Sequence, residues 1–250
     1  MSFFDDVMMT IFIDGKEVSE IYDENNDRLI YSSQIMFFDI NPNSSSFTLP
    51  KTEFEGSLII DWGDGNTEIA TETSRITHNF DLSKSTGKIR IFGLITKLIP
   101  TPFYYWNEVN GFKLPNGVTE IGWYTFKHYP LSSVVLPSSM KILDSSCFRD
   151  SSVTNVILNE GLEEIRSDCF SGCSNLKHIA IPSSVTTVEG FVFYNSGVID
   201  YQLYWQTPPV NWSPTNFPNL EETYYTIPSG CTQNYVSKNF PRDKLIERGE

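Results

Sequence analysis

Basic residues are scarce in this chain. Only 18 Lys and Arg stand against 31 Asp and Glu in 250 residues, a net charge of −13. Such a surface excludes a general nucleic-acid binder, which needs a basic footprint. It also disfavours docking on anionic lipid. No run of apolar residues is long enough to span a bilayer, so no membrane insertion is expected. Cysteine is sparse as well: Cys147, Cys169, Cys173 and Cys231 are too few to build a disulfide scaffold at this length. The sequence has no HExxH, GxSxG, Walker A, paired CxxC or GxGxxG motif. Its three histidines, His78, His128 and His178, lie far apart. The first residues, MSFFDDVMMT, lack a basic n-region and do not read as a secretory leader. Aromatic residues, by contrast, are plentiful: 18 Phe and 12 Tyr mark a chain that buries a core rather than a disordered one.

The second half is periodic. Leu114-Pro115, Leu136-Pro137, Leu158-Asn159 and Ile181-Pro182 recur at steps of 22, 22 and 23 residues. Phe126, Phe148, Phe170 and Phe193 keep the same steps, as do Ile121, Leu143, Ile165 and Val188, and Val118, Met140, Leu162 and Val185. Ile91, Ile95, Leu98 and Phe103 form a weaker copy upstream, and Leu203 follows Ile181 by 22, which gives about five repeats over 91–207. Within LSSVVLP, VTNVILN and LKHIAIP, the fourth and sixth residues share one face of a short strand, and the Pro or Asn that follows ends it. A second apolar pair, a small residue and a Phe bring the chain back. No such unit buries its own apolar face, so the units must stack into a solenoid with a parallel sheet along one side.

The segments GLEEIRSDCFSGCSNLKHIAIP and IPSSVTTVEGFVF resemble the BspA-type leucine-rich repeats of bacterial, archaeal and protist surface proteins. The regular Asn column of other leucine-rich repeats is missing. Pro137, Asn159 and Pro182 follow the strand instead, as in the BspA type. The resemblance implies adhesion and host interaction.

Upstream, SLIIDWGDGNTE (57–68) runs a strand into the turn Asp61-Trp62-Gly63-Asp64-Gly65 and out through Thr67 and Ile69. With THNF (77–80) and GKIRIFG (87–93), this order is similar to PKD-like β-sandwich modules. Asp61 and Asp64 read as turn formers rather than calcium ligands, since Asp satisfies local backbone donors. His78 is expected to pack within the module. Residues 8–33 read as a β-meander with apolar pairs Ile11/Ile13, Val18/Ile21 and Leu29/Tyr31, and look like the start of some phage tail proteins. After 207 the repeat stops. ETYYTIPSGCTQNYVSKNFPRDKLIE (222–247) offers a strand, a short helix near 231–239 and a final strand, and resembles the caps that follow such repeats.

The expected fold is mainly β with short helices: an N-terminal meander (1–35), a PKD-like module (36–93), BspA-type repeats (94–207) and a C-terminal cap (208–250). The expected function is non-catalytic recognition of a cell-surface protein or glycan, with no cofactor and no metal. Cys169 and Cys173 lie four apart but lack the partners of a zinc site. Cys147 and Cys169 share a column filled elsewhere by Thr125 and Val192, so both read as small inward packing residues.

Candidate binding residues are the outward positions of the strand ladder: Lys113, Ser133, Val135, Asn155, Ile157, His178, Ala180, Asp200 and Gln202. A second candidate is the aromatic set near the cap: Tyr204, Trp205, Trp212, Tyr224 and Tyr225. Two settings fit. One is a cell-surface adhesin. The other is a phage or virion tail component that docks on other virion proteins through its N-terminal region, which the missing leader favours. A polysaccharide hydrolase is the rival from another class, and Glu160, Glu163 and Glu164 are the only dense acidic group it would draw on in the repeats.

Overall fold

A computed structural model describes residues 35–49, 51–99, 109–130, 132–212 and 222–249, together with the backbone of two short strands near the N-terminus. Those two, β1 (Ile11–Ile13) and β2 (Lys16–Val18), pair antiparallel with Ile11 opposite Val18. The third strand expected there, at Leu29/Tyr31, lies outside the described residues.

Seven strands follow: β3 (Ile35–Ile40), β4 (Ser46–Thr48), β5 (Thr52–Asp61), β6 (Thr67–Ala70), β7 (Thr77–Asn79), β8 (Lys88–Leu98) and β9 (Val109–Lys113). Strand β3 alternates strictly and buries Met36, Phe38 and Ile40 on one face. Strands β6, β5, β8, β3 and β9 pair in that order, all antiparallel, and β4 pairs with β7 apart from them.

The long strand β8 changes partners along its length. Residues 88–92 pair with β3, while Lys97 and Leu98 pair parallel with the first strand of the repeats. The boundary expected at 93/94 therefore falls inside a strand, and the N-terminal sheet is continuous with one side of the solenoid.

The repeats alternate between two parallel ladders. Their strands are β10 (Glu120–Ile121), β11 (Ser133–Val135), β12 (Ile142–Leu143), β13 (Asn155–Ile157), β14 (Glu164–Ile165), β15 (His178–Ile181), β16 (Thr187–Val188) and β17 (Asp200–Leu203). Even-numbered strands stack on β8 along one side, in order β10, β12, β14, β16. Odd-numbered strands form the other side, where β11 pairs β13 and β15 pairs β17, with β13 alongside β15.

A third line of backbone hydrogen bonds joins the return segments: Phe126 N–H to Cys147 O, Phe148 N–H to Cys169 O and Phe170 N–H to Val192 O. Left-handed residues recur at fixed positions of these segments. Tyr124, Ser146, Asp168 and Phe191, one per repeat, all have φ between 56° and 61°. Four residues further on, His128, Asp150, Gly172 and Asn195 are left-handed too.

Between the ladders runs a stack of phenylalanines. Phe112, Phe126, Phe148, Phe170 and Phe193 lie nearly parallel, with successive centroids 4.5, 5.3, 5.5 and 5.7 Å apart. Cys147 and Cys169 are fully buried beside it, with Sγ atoms 3.2 Å apart. Burial pushes the Cys169 thiol well up and the Cys173 thiol to about 11, so both are inert packing groups.

The C-terminal region contains β18 (Tyr224–Ile227), α1 (Thr232–Val236), a 3-10 turn at Arg242–Lys244 and β19 (Leu245–Glu247). Both strands add in parallel to β17, with Tyr201 opposite Tyr225 and Tyr225 opposite Leu245. The cap thus extends the odd-numbered ladder by two rungs.

Candidate recognition surface

The outward positions of the odd-numbered ladder form two columns set by strand register. One column is Ser133, Asn155, His178, Asp200 and Tyr224. The other is Val135, Ile157, Ala180, Gln202, Thr226 and Ile246. Period-2 alternation holds them outward while Val134, Val156, Ile179, Tyr201 and Tyr225 go into the core. Val135 is 64% exposed, Ile157 46% and Ile246 51%, three aliphatic side chains in one column facing solvent. In the other column, His178 Nδ1 and the Asp200 carboxylate meet at 3.1 Å, and the Lys244 ammonium lies 5.0 Å from the Tyr224 ring centre.

The structure corrects two of the expected placements. Lys113 is exposed but lies on β9, where it faces Phe37 of β3 in an antiparallel pair, so it does not continue the repeat column. The N-terminal sheet captures this upstream strand. The cap aromatics divide. Trp205, Trp212 and Tyr225 are buried. The indole N–H of Trp205 donates to Val185 O at 2.7 Å, its carbonyl accepts from Tyr235 Oη at 2.8 Å, and the Trp205 and Trp212 rings pack 4.9 Å apart. They close the core over the last repeat and offer a ligand no face. Tyr204 and Tyr224 remain exposed, and Tyr224 belongs to the column above.

Sequence reasoning missed Tyr224, Thr226 and Ile246 as column members. The signal was present: Ile227-Pro228 repeats the hydrophobic-Pro step, but the longer spacing from Leu203 takes it out of register.

The WGDG turn holds its carboxylates for structure. Asp64 is buried and accepts from His78 Nε2 at 2.8 Å, Asp81 N–H at 3.1 Å and Asn66 N–H at 3.1 Å. The His78 ring stacks on Trp62 at 4.6 Å. Burial disfavours the Asp64 anion, but these hydrogen bonds outweigh it and hold the carboxyl below its ordinary range. Asp61 accepts from Gly63 N–H and pairs with Arg90. Gly63 is required here, because its φ is +72° and a Cβ would meet Lys88 O at 2.2 Å. Among the described residues, no group of three or more acidic, His or Cys side chains is arranged to hold a metal.

Parallel rungs every 22 or 23 residues, each with a Phe in the central stack, make this part of the chain a repeat solenoid. Residues 96–206 match the BspA type leucine rich repeat region, in six copies. The sixth copy exceeds the five counted from spacing alone. No curated protein matches the chain.

Solved structures match the fold. The pneumococcal vaccine antigen PcpA aligns at 16% identity and a TM-score of 0.50, over 63% of this chain and 47% of its own. The chain therefore spans about half the length of that relative. A leucine-rich repeat protein from Bacteroides ovatus aligns at 15% identity and a TM-score of 0.39, covering 72% of this chain and 40% of that one. The T. pallidum leucine rich repeat protein aligns at 18% identity and 0.31, over 61% and 89%.

The opposite, even-numbered side of the repeats carries charges matched to one another. Lys97 pairs Glu120 at 2.8 Å and Lys141 pairs Glu163 at 2.8 Å, while Arg166 bridges Asp144 and Glu164 at 3.2 and 3.0 Å. Glu160 accepts from the Ser183 and Ser184 backbone N–H groups. All three carboxylates of the acidic group Glu160, Glu163 and Glu164 are thus engaged in hydrogen bonds or ion pairs along the rungs.

Proposed function

We propose that this protein is a non-catalytic recognition protein that binds a cell-surface protein or glycan through the outward face of its odd-numbered ladder. The observation that carries the reading is the contrast between the two sides of the solenoid. The even-numbered side is covered by ion pairs that satisfy one another. The odd-numbered side keeps Val135, Ile157 and Ile246 in water beside an uninterrupted polar column. Val135 and Ile157 are on adjacent rungs, and exposed apolar side chains beside polar ones are the pattern of a partner surface.

Engagement of Glu160, Glu163 and Glu164 in structural contacts supports the absence of catalysis. The likeness to a pneumococcal vaccine antigen supports an extracellular setting. Among the described residues no helix is long and apolar enough to cross a membrane. The PKD-like reading of 36–93 fits the WGDG hairpin and its His78 contact, and such a module would set the solenoid away from its point of attachment. Between a cell-surface adhesin and a virion tail component, a monomer in native mass spectrometry favours the first and a trimer the second.

The reading is tested by binding of the labelled chain to intact cells before and after protease shaving and glycosidase treatment. Saturable binding lost on shaving assigns a protein ligand, and binding lost on deglycosylation a glycan. Absence of saturable binding to any cell type tested would overturn recognition in favour of a scaffold.

A further inference from the structure

A second exposed surface lies along the return segments, away from the proposed recognition face. At its first rung Trp123 is 49% exposed and meets Tyr124 edge-on at 5.2 Å. At its last rung Phe191 is 58% exposed and Tyr194 50%, again edge-on, at 5.7 Å. Tyr124 and Phe191 occupy the same left-handed position of their repeats, and the bonds Tyr124 N–H to Ser145 O, Ser146 N–H to Ser167 O and Asp168 N–H to Gly190 O keep that column in register. The two aromatic pairs are three rungs apart, about 14 Å at the spacing of a parallel ladder.

Between them the strip is polar. Arg149 pairs with Asp168 at 3.4 Å and with Asp150 at 3.5 Å, one guanidinium between two carboxylates. Trp123, Phe191 and Tyr194 are exposed, and the Phe stack, two residues past Tyr124 and Phe191 in each return segment, is complete without them.

The order of these groups selects the ligand. A protein interface places aromatic anchors at its centre and polar groups at its rim. Here the anchors stand at the two ends and hydrogen-bonding groups fill the middle. A sugar ring has an apolar C–H face that stacks on an aromatic and a hydroxyl edge that bonds to carboxylate and guanidinium. A chain of linked rings laid along the solenoid axis reaches from one aromatic pair to the other. The second carboxylate leaves this strip without net positive charge, and it and the chain's excess of acid oppose an acidic polymer. We infer that the return face is a binding site for a linear neutral polysaccharide laid along the solenoid axis, with rings stacked on Trp123/Tyr124 at one end and Phe191/Tyr194 at the other.

The test is titration calorimetry of the full chain with cellohexaose, laminarihexaose, xylohexaose, mannohexaose and chitohexaose, each beside its disaccharide. Polygalacturonate serves as the acidic control. At least one hexasaccharide is expected to bind saturably and at least tenfold more tightly than its disaccharide. Trp123→Ala and Phe191→Ala, both at exposed positions, should each weaken it by roughly tenfold while leaving the melting temperature unchanged. Leu82→Ala, an exposed apolar change in the N-terminal module, should not alter binding. Three results would overturn the proposal: no saturable binding by any neutral hexasaccharide, binding unmoved by both substitutions, or preference for polygalacturonate.

Discussion

At the scale of residues, two local devices carry consequences that can be measured. Asp64 is ionised inside the WGDG turn by three hydrogen bonds, so its folded value lies below the ~3.9 of an unfolded Asp. A depressed carboxyl adds stability that is fully present above the unfolded value and is lost as pH falls through the folded one. Asp64→Asn should therefore lower stability near neutral pH by about 1–3 kcal/mol, the cost of spoiling a buried charged acceptor. Urea titrations at descending pH should show the gap between wild type and variant closing below about pH 4. A gap that stayed constant would assign the loss to packing instead. Gly172 is the second device. It is the glycine of a column held elsewhere by His128, Asp150 and Asn195, has φ +74°, and a Cβ there would meet Asp150 Oδ1 at 2.1 Å. Gly172→Ala should cost about 1–2 kcal/mol for the left-handed backbone, more if Asp150 cannot turn aside, as read from urea midpoints.

Elements explain which parts of the fold were legible. Four residue columns at a step of 22 or 23 specify the register of the stacked strands, because each column lands on one structural position. Phe126, Phe148, Phe170 and Phe193 duly form the central stack. Phe170→Ala should cost about 3–5 kcal/mol, the range for a buried Phe, whereas a change at exposed Phe191 should cost little; thermal melts of the two variants separate these outcomes. The junctions were not legible. Strand β8 reads as two signals, the end of one module and the start of another, since apolar alternation does not say which neighbour a strand takes. The structure lets both readings stand by giving its two ends different partners. Lys113 was misplaced for the same reason. In the cap, spacing drifted while the Ile-Pro step persisted, and the step was the better guide.

For the whole molecule, the parallel ladders β11–β13 and β15–β17–β18–β19 leave one side open, while the even-numbered side is covered with its own ion pairs. That asymmetry, which composition alone does not reveal, is the basis for placing recognition on the odd-numbered face. The outward placement of the candidate residues was legible for Ser133 through Gln202, where alternation and repeat length agree. It was illegible for Trp205, Trp212 and Tyr225, because an aromatic beside a cap reads the same whether it faces a ligand or the core. The most direct measurement is the dissociation constant of the chain on the cells it binds, for wild type, Ile157→Glu and Glu163→Gln. A carboxylate in the exposed aliphatic column should weaken binding at least tenfold, about 1.4 kcal/mol, and Glu163→Gln on the opposite side should leave it unchanged. Equal affinity for wild type and Ile157→Glu would contradict the account and remove recognition from this face.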